Sequence, residues 1–193
     1  MNEITGETDL NLPRETQVEK HWLSDARRCP SDHWDERPQS EVSLLVIHAI
    51  ALPPRTWGGP WVEAFFSGQL PAQAHPYFQS LAQVRVSAHL FIRRTGEVIQ
   101  FVPFDKRAWH AGVSNFQGRQ ACNDFSIGIE LEGADDQPYT SLQYQHLIRV
   151  TQALMLAYPD INPQRICGHS DIAPGRKQDP GDFFDWQVYL AAL

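Results

Sequence analysis

The stretch Ser43–His48, SLLVIH, is a short continuous apolar run with no alternation of its own. A strand that reads this way is buried on both faces, so chain must cover it on each side. Phe125–Leu131, FSIGIEL, reads as a second strand. It sends Ile127, Ile129 and Leu131 to one face and Ser126, Gly128 and Glu130 to the other. Ala88–Arg93 and Glu97–Phe101 flank Thr95-Gly96 as the arms of a hairpin, and Arg165–Gly168 is a short strand. Thr140 followed by Gln143 has the form of a capping box. The helix it opens runs to about Tyr158 with Leu147, Val150 and Leu154 on its apolar stripe, and Pro159 helps to stop it. Phe183–Leu193 reads as a terminal helix. Between the strands, Ala51–Leu81 is rich in Pro, Gly and aromatics: a long loop with helical pieces at Trp61–Ser67 and Pro76–Leu81, suited to a lid or binding wall. Residues 103–124 read as irregular. Strands interleaved with helices give the expected class: α/β, a single domain with a central mixed β-sheet flanked by helices.

A chain of 193 residues can bury a core of its own, and at 42% hydrophobic and 20% charged it reads as globular. No apolar run is long enough to span a bilayer. The formal charge is −7 with no basic stripe and no basic amphipathic helix, so neither nucleic acid nor a membrane surface is an expected partner. Residues 1–20 are polar and acidic and read as a loose arm, leaving a domain at 21–193. The N-terminus has neither a basic n-region nor an apolar h-region, which favours the cytoplasm. Cys29, Cys122 and Cys167 are odd in number and form no CxxC pair, so we expect free thiols rather than a disulfide framework. Cys167 stands two residues before His169; such residues share a strand face but do not by that make a nucleophile pair.

In sheets of this class, ligands bind beyond the carboxyl ends of strands. His48 ends one strand, Glu130 lies near the end of another, and His169 directly follows a third. His169, Lys177 and Asp179 also share one irregular segment, GHSDIAPGRKQDPG. Zinc takes imidazole and carboxylate ligands, and a catalytic zinc keeps a position open. Two histidines and an aspartate would serve, but eight histidines and 23 carboxylates allow many such triples, and no local motif selects one.

A resemblance selects one. The stretches WLSDARRCPSDHWDERP, SLLVIHAIALPP, GGPWVEAFFSGQL, VRVSAHLFIRRTGEVIQFVPFDKRAWHAGVS, GRQACNDFSIGIELEG and GHSDIAPGRKQDPG occur in order from about His21 to the C-terminus. In these the chain resembles the AmpD-type N-acetyl-anhydromuramoyl-L-alanine amidases, zinc hydrolases of peptidoglycan recycling. The resemblance implies long loops around a zinc cleft, with His48, His169 and Asp179 as zinc ligands, Glu130 as catalytic glutamate and Lys177 as catalytic lysine. It implies a small-molecule substrate, an anhydro-muropeptide cut between the lactyl group and L-alanine, and we expect a monomer. Glu130 would move the proton of the attacking water, and Lys177 would meet the oxyanion. Related phage-type enzymes carry a tyrosine where this chain has Ala88, so that residue cannot contribute. Where the family has HNIS this chain has HAIA, and Ala49 lacks the donor that Asn would offer a substrate. Arg85 could pair with a peptide carboxylate. Trp109 could stack on a sugar or anchor the core. His110 beside it is a further substrate candidate, whereas His89 reads as a hydrogen-bonded structural histidine and His75 and His146 as surface residues. Asn123 and Asp124 read as shaping a turn. Two other functions are weighed: a peptidoglycan-fragment binding module, which characteristically lacks part of the zinc set, and an amidase acting on intact wall, for which a signal would be expected.

Overall fold

The computed structural model describes residues 16–193. Six strands form the central sheet: β1 (Arg27–Arg28), β2 (Leu44–Ile50), β3 (Leu90–Ile92), β4 (Val98–Gln100), β5 (Ser126–Glu132) and β6 (Ile166–Gly168), in the order β6-β2-β5-β3-β4-β1. β2 pairs in parallel with β6 and β5, and β5 with β3; β3 and β4 are the expected antiparallel hairpin. The sheet is therefore mixed, as its sequence patterns required.

Alternation along β5 decides what each face holds. Ile127, Ile129 and Leu131 join Leu45 and Ile47 of β2 in the main core. α3 (Ser141–Ala157) covers that face with Leu147, Val150 and Leu154, and α5 (Trp186–Leu190) adds Tyr189. On the opposite face two smaller apolar clusters lie apart. One, around Leu44, Val46, Phe125 and Cys167, is capped by Ile172 of α4 (His169–Ile172). The other, around Phe91, Ile99 and Phe101, packs under α1 (Trp61–Phe66) and α2 (Pro76–Gln79), the two helical pieces of the long loop.

The capping box of α3 is present: Gln143 N donates to Thr140 Oγ1 at 3.2 Å, and Thr140 N donates to Gln143 Oε1 at 3.0 Å. Gln143 has a second task. It is fully buried, and its Nε2 donates to the carbonyls of Ile92 and Glu132, tying the helix start to the ends of β3 and β5.

Several expectations shift. Of the arm expected at 1–20, the first fifteen residues lie outside those described. Residues 16–20 are not loose: Val18–Glu19 pairs with Trp22–Leu23, and buried Thr16 donates to Asp25. Residues 103–124 are more regular than their sequence suggested, because Lys106–Ala108 pairs with Trp34–Glu36 and Asn115–Phe116 with Arg119–Gln120. The terminal helix is shorter, starting at Trp186, where Asp185 caps it by accepting from Val188 N. β2 runs two residues beyond His48, so that histidine sits inside the strand rather than at its end.

Candidate metal centre and catalytic site

β2 and β5 run side by side with Glu130 directly opposite His48. Both residues lie on the face of the sheet opposite the main core, in line with Leu44 and Val46 on β2 and with Ser126 and Gly128 on β5. His169 opens α4 at the carboxyl end of β6, the neighbour of β2 on its other side. The loop that follows turns at Gly175 (φ 75°), then brings Asp179 back so that its carbonyl accepts from Ser170 N at 3.0 Å. Tyr139 Oη donates to the Pro180 carbonyl at 2.7 Å and fixes the end of the loop.

Three donor atoms converge. His48 Nδ1 lies 2.9 Å from His169 Nδ1 and 3.2 Å from Asp179 Oδ2, and His169 Nδ1 lies 3.0 Å from Asp179 Oδ2. Of the described residues, these three form the one group of histidine, cysteine or acidic side chains able to hold a metal ion. All are buried, Asp179 at 9% exposure. A tetrahedral zinc with bonds of about 2.0–2.2 Å holds its ligand atoms roughly 3.4 Å apart, so the triangle fits with a small outward adjustment. Protonation fits as well. Burial, outweighing the nearby Asp179, lowers the pKa of His48 to about 4, leaving the neutral imidazole a metal requires. Burial raises the pKa of Asp179, but hydrogen bonds with His169 and His48 outweigh it and hold the carboxyl below its usual range.

Glu130 is buried, and its Oε2 is the one buried side-chain oxygen or nitrogen of the described residues that has no hydrogen-bond partner. Burial first and the Asp179 charge second push this carboxyl well above its usual range, while Lys177 pulls the other way. Lys177 itself is exposed, on the rim of the loop between His169 and Asp179. Its side chain makes no hydrogen bond or ion pair among the described residues, so the ammonium is free to meet a ligand.

The expected substrate residues fare differently. Arg85 is exposed, and its guanidinium donates to the carbonyls of Ala82 and Val84 in its own turn. Trp109 is half-buried, stacked on His33 with its Nε1 donating to Asp35 at 2.7 Å. His110 lies behind His48, with its Nδ1 2.9 Å from His48 Nε2 and its Nε2 3.0 Å from Ser126 Oγ. That position sets its ring directly against His48, one corner of the triangle. His89 is structural, as its sequence context indicated: it accepts from Gly128 N at 3.0 Å and lies 3.0 Å from the Lys106 carbonyl. Asn123 does more than shape a turn, because its Oδ1 accepts from both His110 N and Ala111 N. Its 12- and 13-residue separations from these partners cross the short Asn115–Gln120 hairpin, and nothing local in the sequence signals the contact. Cys167 packs in an apolar cluster, and burial pushes its thiol up, away from the thiolate a nucleophile needs.

Two cavities are lined by chain neighbours of the triangle residues. One of about 520 Å³ opens beside Ala49, Leu52, Arg55, Tyr77, Asp135 and Gln178, between the long loop and the end of β5. The other, about 570 Å³ and mostly apolar, lies on the His169 side, against Val113, Ala121, Ile172, Pro174 and Arg176.

Known proteins match this arrangement. A family model described as N-acetylmuramoyl-L-alanine amidase matches residues 38–182. The 1,6-anhydro-N-acetylmuramyl-L-alanine amidase AmpD of Escherichia coli is 60% identical over 170 residues, covering 88% of this chain and 92% of that protein. A crystal structure of a selenomethionine AmpD derivative superposes with a TM-score of 0.89 at 56% identity, over 91% of this chain and 98% of the other. AmiD of Escherichia coli, solved with the substrate anhydro-N-acetylmuramic acid-L-Ala-D-γ-Glu-L-Lys, superposes with a TM-score of 0.59 at 28% identity, over 92% of this chain and 65% of the other.

Proposed function

The chain belongs to the N-acetylmuramoyl-L-alanine amidase family, and from that premise we propose that the centre built on His48, His169, Asp179, Glu130 and Lys177 is its active site. The protein is an amidase of the AmpD kind, hydrolysing the amide between anhydro-N-acetylmuramic acid and L-alanine in peptidoglycan recycling. Zinc is the metal we assign. The supporting observation is that two imidazoles and a carboxylate meet within one coordination sphere, beside a buried carboxylate oxygen that lacks a partner. His48 Nδ1, His169 Nδ1 and Asp179 Oδ2 would hold the ion. When bound, zinc supplies Lewis acidity that brings water to ionise near pH 7.

Glu130 accepts the proton of the attacking water on a carboxylate oxygen and later delivers it to the nitrogen of the leaving L-alanine. The unpartnered Oε2 has no bond to break before it does so. A general base so placed contributes about 10²- to 10⁴-fold in rate. Lys177 donates to the oxyanion of the tetrahedral intermediate, where its charge counts most. The substrate is a small molecule, and the cavity beside Ala49 is lined by Gly133, just past the end of β5, and by Gln178, the residue before Asp179. Ala49 lines that cavity and offers no side-chain amide to it. No helix of the described residues is long and apolar enough to cross a membrane. A monomer working in the cytoplasm is our reading of a chain that acts on released fragments.

The test is mass spectrometry of products from an anhydro-muropeptide, with metal analysis of the same sample. Free L-alanyl peptide and one zinc per chain are expected, and His169→Ala should lose both. Full zinc occupancy in His169→Ala would remove the assignment of the metal centre.

A further inference from the structure

We propose that the dipeptide His110-Ala111 is the positioning element for both metal imidazoles, holding each in the tautomer that binds the ion. This rests on reading His48, His169 and Asp179 as the zinc site. His48 and His169 both turn Nδ1 into the triangle, so each must carry its proton on Nε2 to present a lone pair. Each Nε2–H is buried and needs an acceptor. His48 Nε2 finds His110 Nδ1 at 2.9 Å, and His169 Nε2 finds the Ala111 carbonyl at 3.2 Å. Consecutive residues thus serve two ligands that stand 121 positions apart in the chain.

The direction of these bonds is forced along the row. A neutral His110 that accepts at Nδ1 carries its proton on Nε2, and that proton points at Ser126 Oγ 3.0 Å away. The dipeptide cannot turn to offer other atoms. Asn123 Oδ1 accepts from His110 N at 3.2 Å and from Ala111 N at 2.8 Å, a double pin from one buried side chain. Arg176 Nη2 donates to the same Ala111 carbonyl at 2.6 Å and fixes its orientation. The His110 ring lies over Gly128, where a Cβ would come within 2.4 Å of Cγ and 2.6 Å of Nδ1. The gap in the side-chain row of β5 is therefore the slot that admits the ring.

Outer partners of metal-bound histidines fix ring orientation and raise ligand basicity, and losing one typically weakens metal binding about 10- to 100-fold. His110→Leu fills the slot without an acceptor. His110→Asn keeps an acceptor oxygen where Nδ1 stood. The experiment is competition titration of zinc against a chromophoric chelator on the full chain, with the melting temperature of each zinc-free variant recorded alongside. His110→Leu should raise the zinc dissociation constant about 10- to 100-fold, and His110→Asn should recover most of that loss. Zinc binding by His110→Leu as tight as wild type overturns the proposal while leaving the zinc site itself standing. A wild-type chain that takes up no zinc overturns the metal reading first. Long-range ¹H–¹⁵N correlation spectra of the wild-type chain supply a check that needs no variant. His48, His169 and His110 should all appear protonated on Nε2 in zinc-loaded protein. A His110 proton on Nδ1 overturns the relay even if the leucine variant does not fold.

Discussion

Glu130 places a carboxyl where folding alone gains nothing from it: buried, beside Asp179, with one oxygen unbonded. Its folded pKa is raised, so the folded chain holds its proton to higher pH than the unfolded chain. Stability from this group is full below the unfolded value of about 4.3 and declines as pH rises toward the folded value. Glu130→Gln removes that decline. In zinc-free protein the variant should melt higher than wild type at pH 7, and the difference should vanish near pH 4; calorimetry across that range checks it. The same variant, zinc-loaded, should lose most of kcat, about 10²-fold or more. Equal turnover with zinc confirmed would move the base elsewhere. Lys177→Ala should leave zinc occupancy and melting unchanged, because no bond among the described residues depends on its ammonium. Its kcat should drop roughly 10²- to 10³-fold, the scale for losing one oxyanion donor, with KM changing less. A kcat close to wild type would make Lys177 an ordinary loop residue. The positions of His48, Glu130 and His169 near strand ends were legible from short apolar runs and alternation, though the resemblance was needed to choose them among so many polar groups. The position of His110 was not legible. Its partners at positions 48 and 126 lie far off in the chain, and a WHAG tetrapeptide reads equally well as a cleft wall.

At the level of elements, periodicity served where segments are long. β2, β5 and α3 each carry a full pattern, and each appears within about two residues of its expected bounds. The pieces that escaped are two or three residues long. Arg27–Arg28 and Trp34–Glu36 exist because a distant strand offers free backbone groups, a fact no local pattern encodes. Gln143 illustrates the same limit within a correctly read helix. Its capping role was written in the spacing from Thr140, but its grip on β3 and β5 was not. The two roles separate by mutation. Thr140→Ala should cost about 1 kcal/mol, the usual loss for a cap. Gln143→Ala should cost more, about 2–4 kcal/mol, since it strands two buried carbonyls as well as a backbone N–H. Urea denaturation midpoints of the two variants check the order, and a reversed order would mean the helix start is held chiefly by the cap.

At the scale of the whole molecule, the polar centre occupies a gap between two apolar clusters on one face of the sheet, while the opposite face is a continuous core. The proposed ligands join β2, the start of α4 and the loop behind it, so an ion there crosslinks three separate segments. Zinc at 100 times its dissociation constant should add about 2.7 kcal/mol of stability. Chelation should accordingly lower the melting temperature and added zinc restore it; a melting temperature indifferent to both would speak against the centre. The sheet also settles how such a chain can change over time. His48 and Glu130 face one another across adjacent parallel strands, so their separation is the rung spacing of a backbone ladder, about 4.8 Å, and owes little to neighbouring side chains. A slip of one rung turns Glu130 to the wrong side of the sheet, and a slip of two carries it about 6.6 Å along the strand. No gradual drift connects these states. Descendants of this chain can trade the loops that grip a substrate as often as selection asks, while the distance between blade and anvil is inherited whole or lost whole.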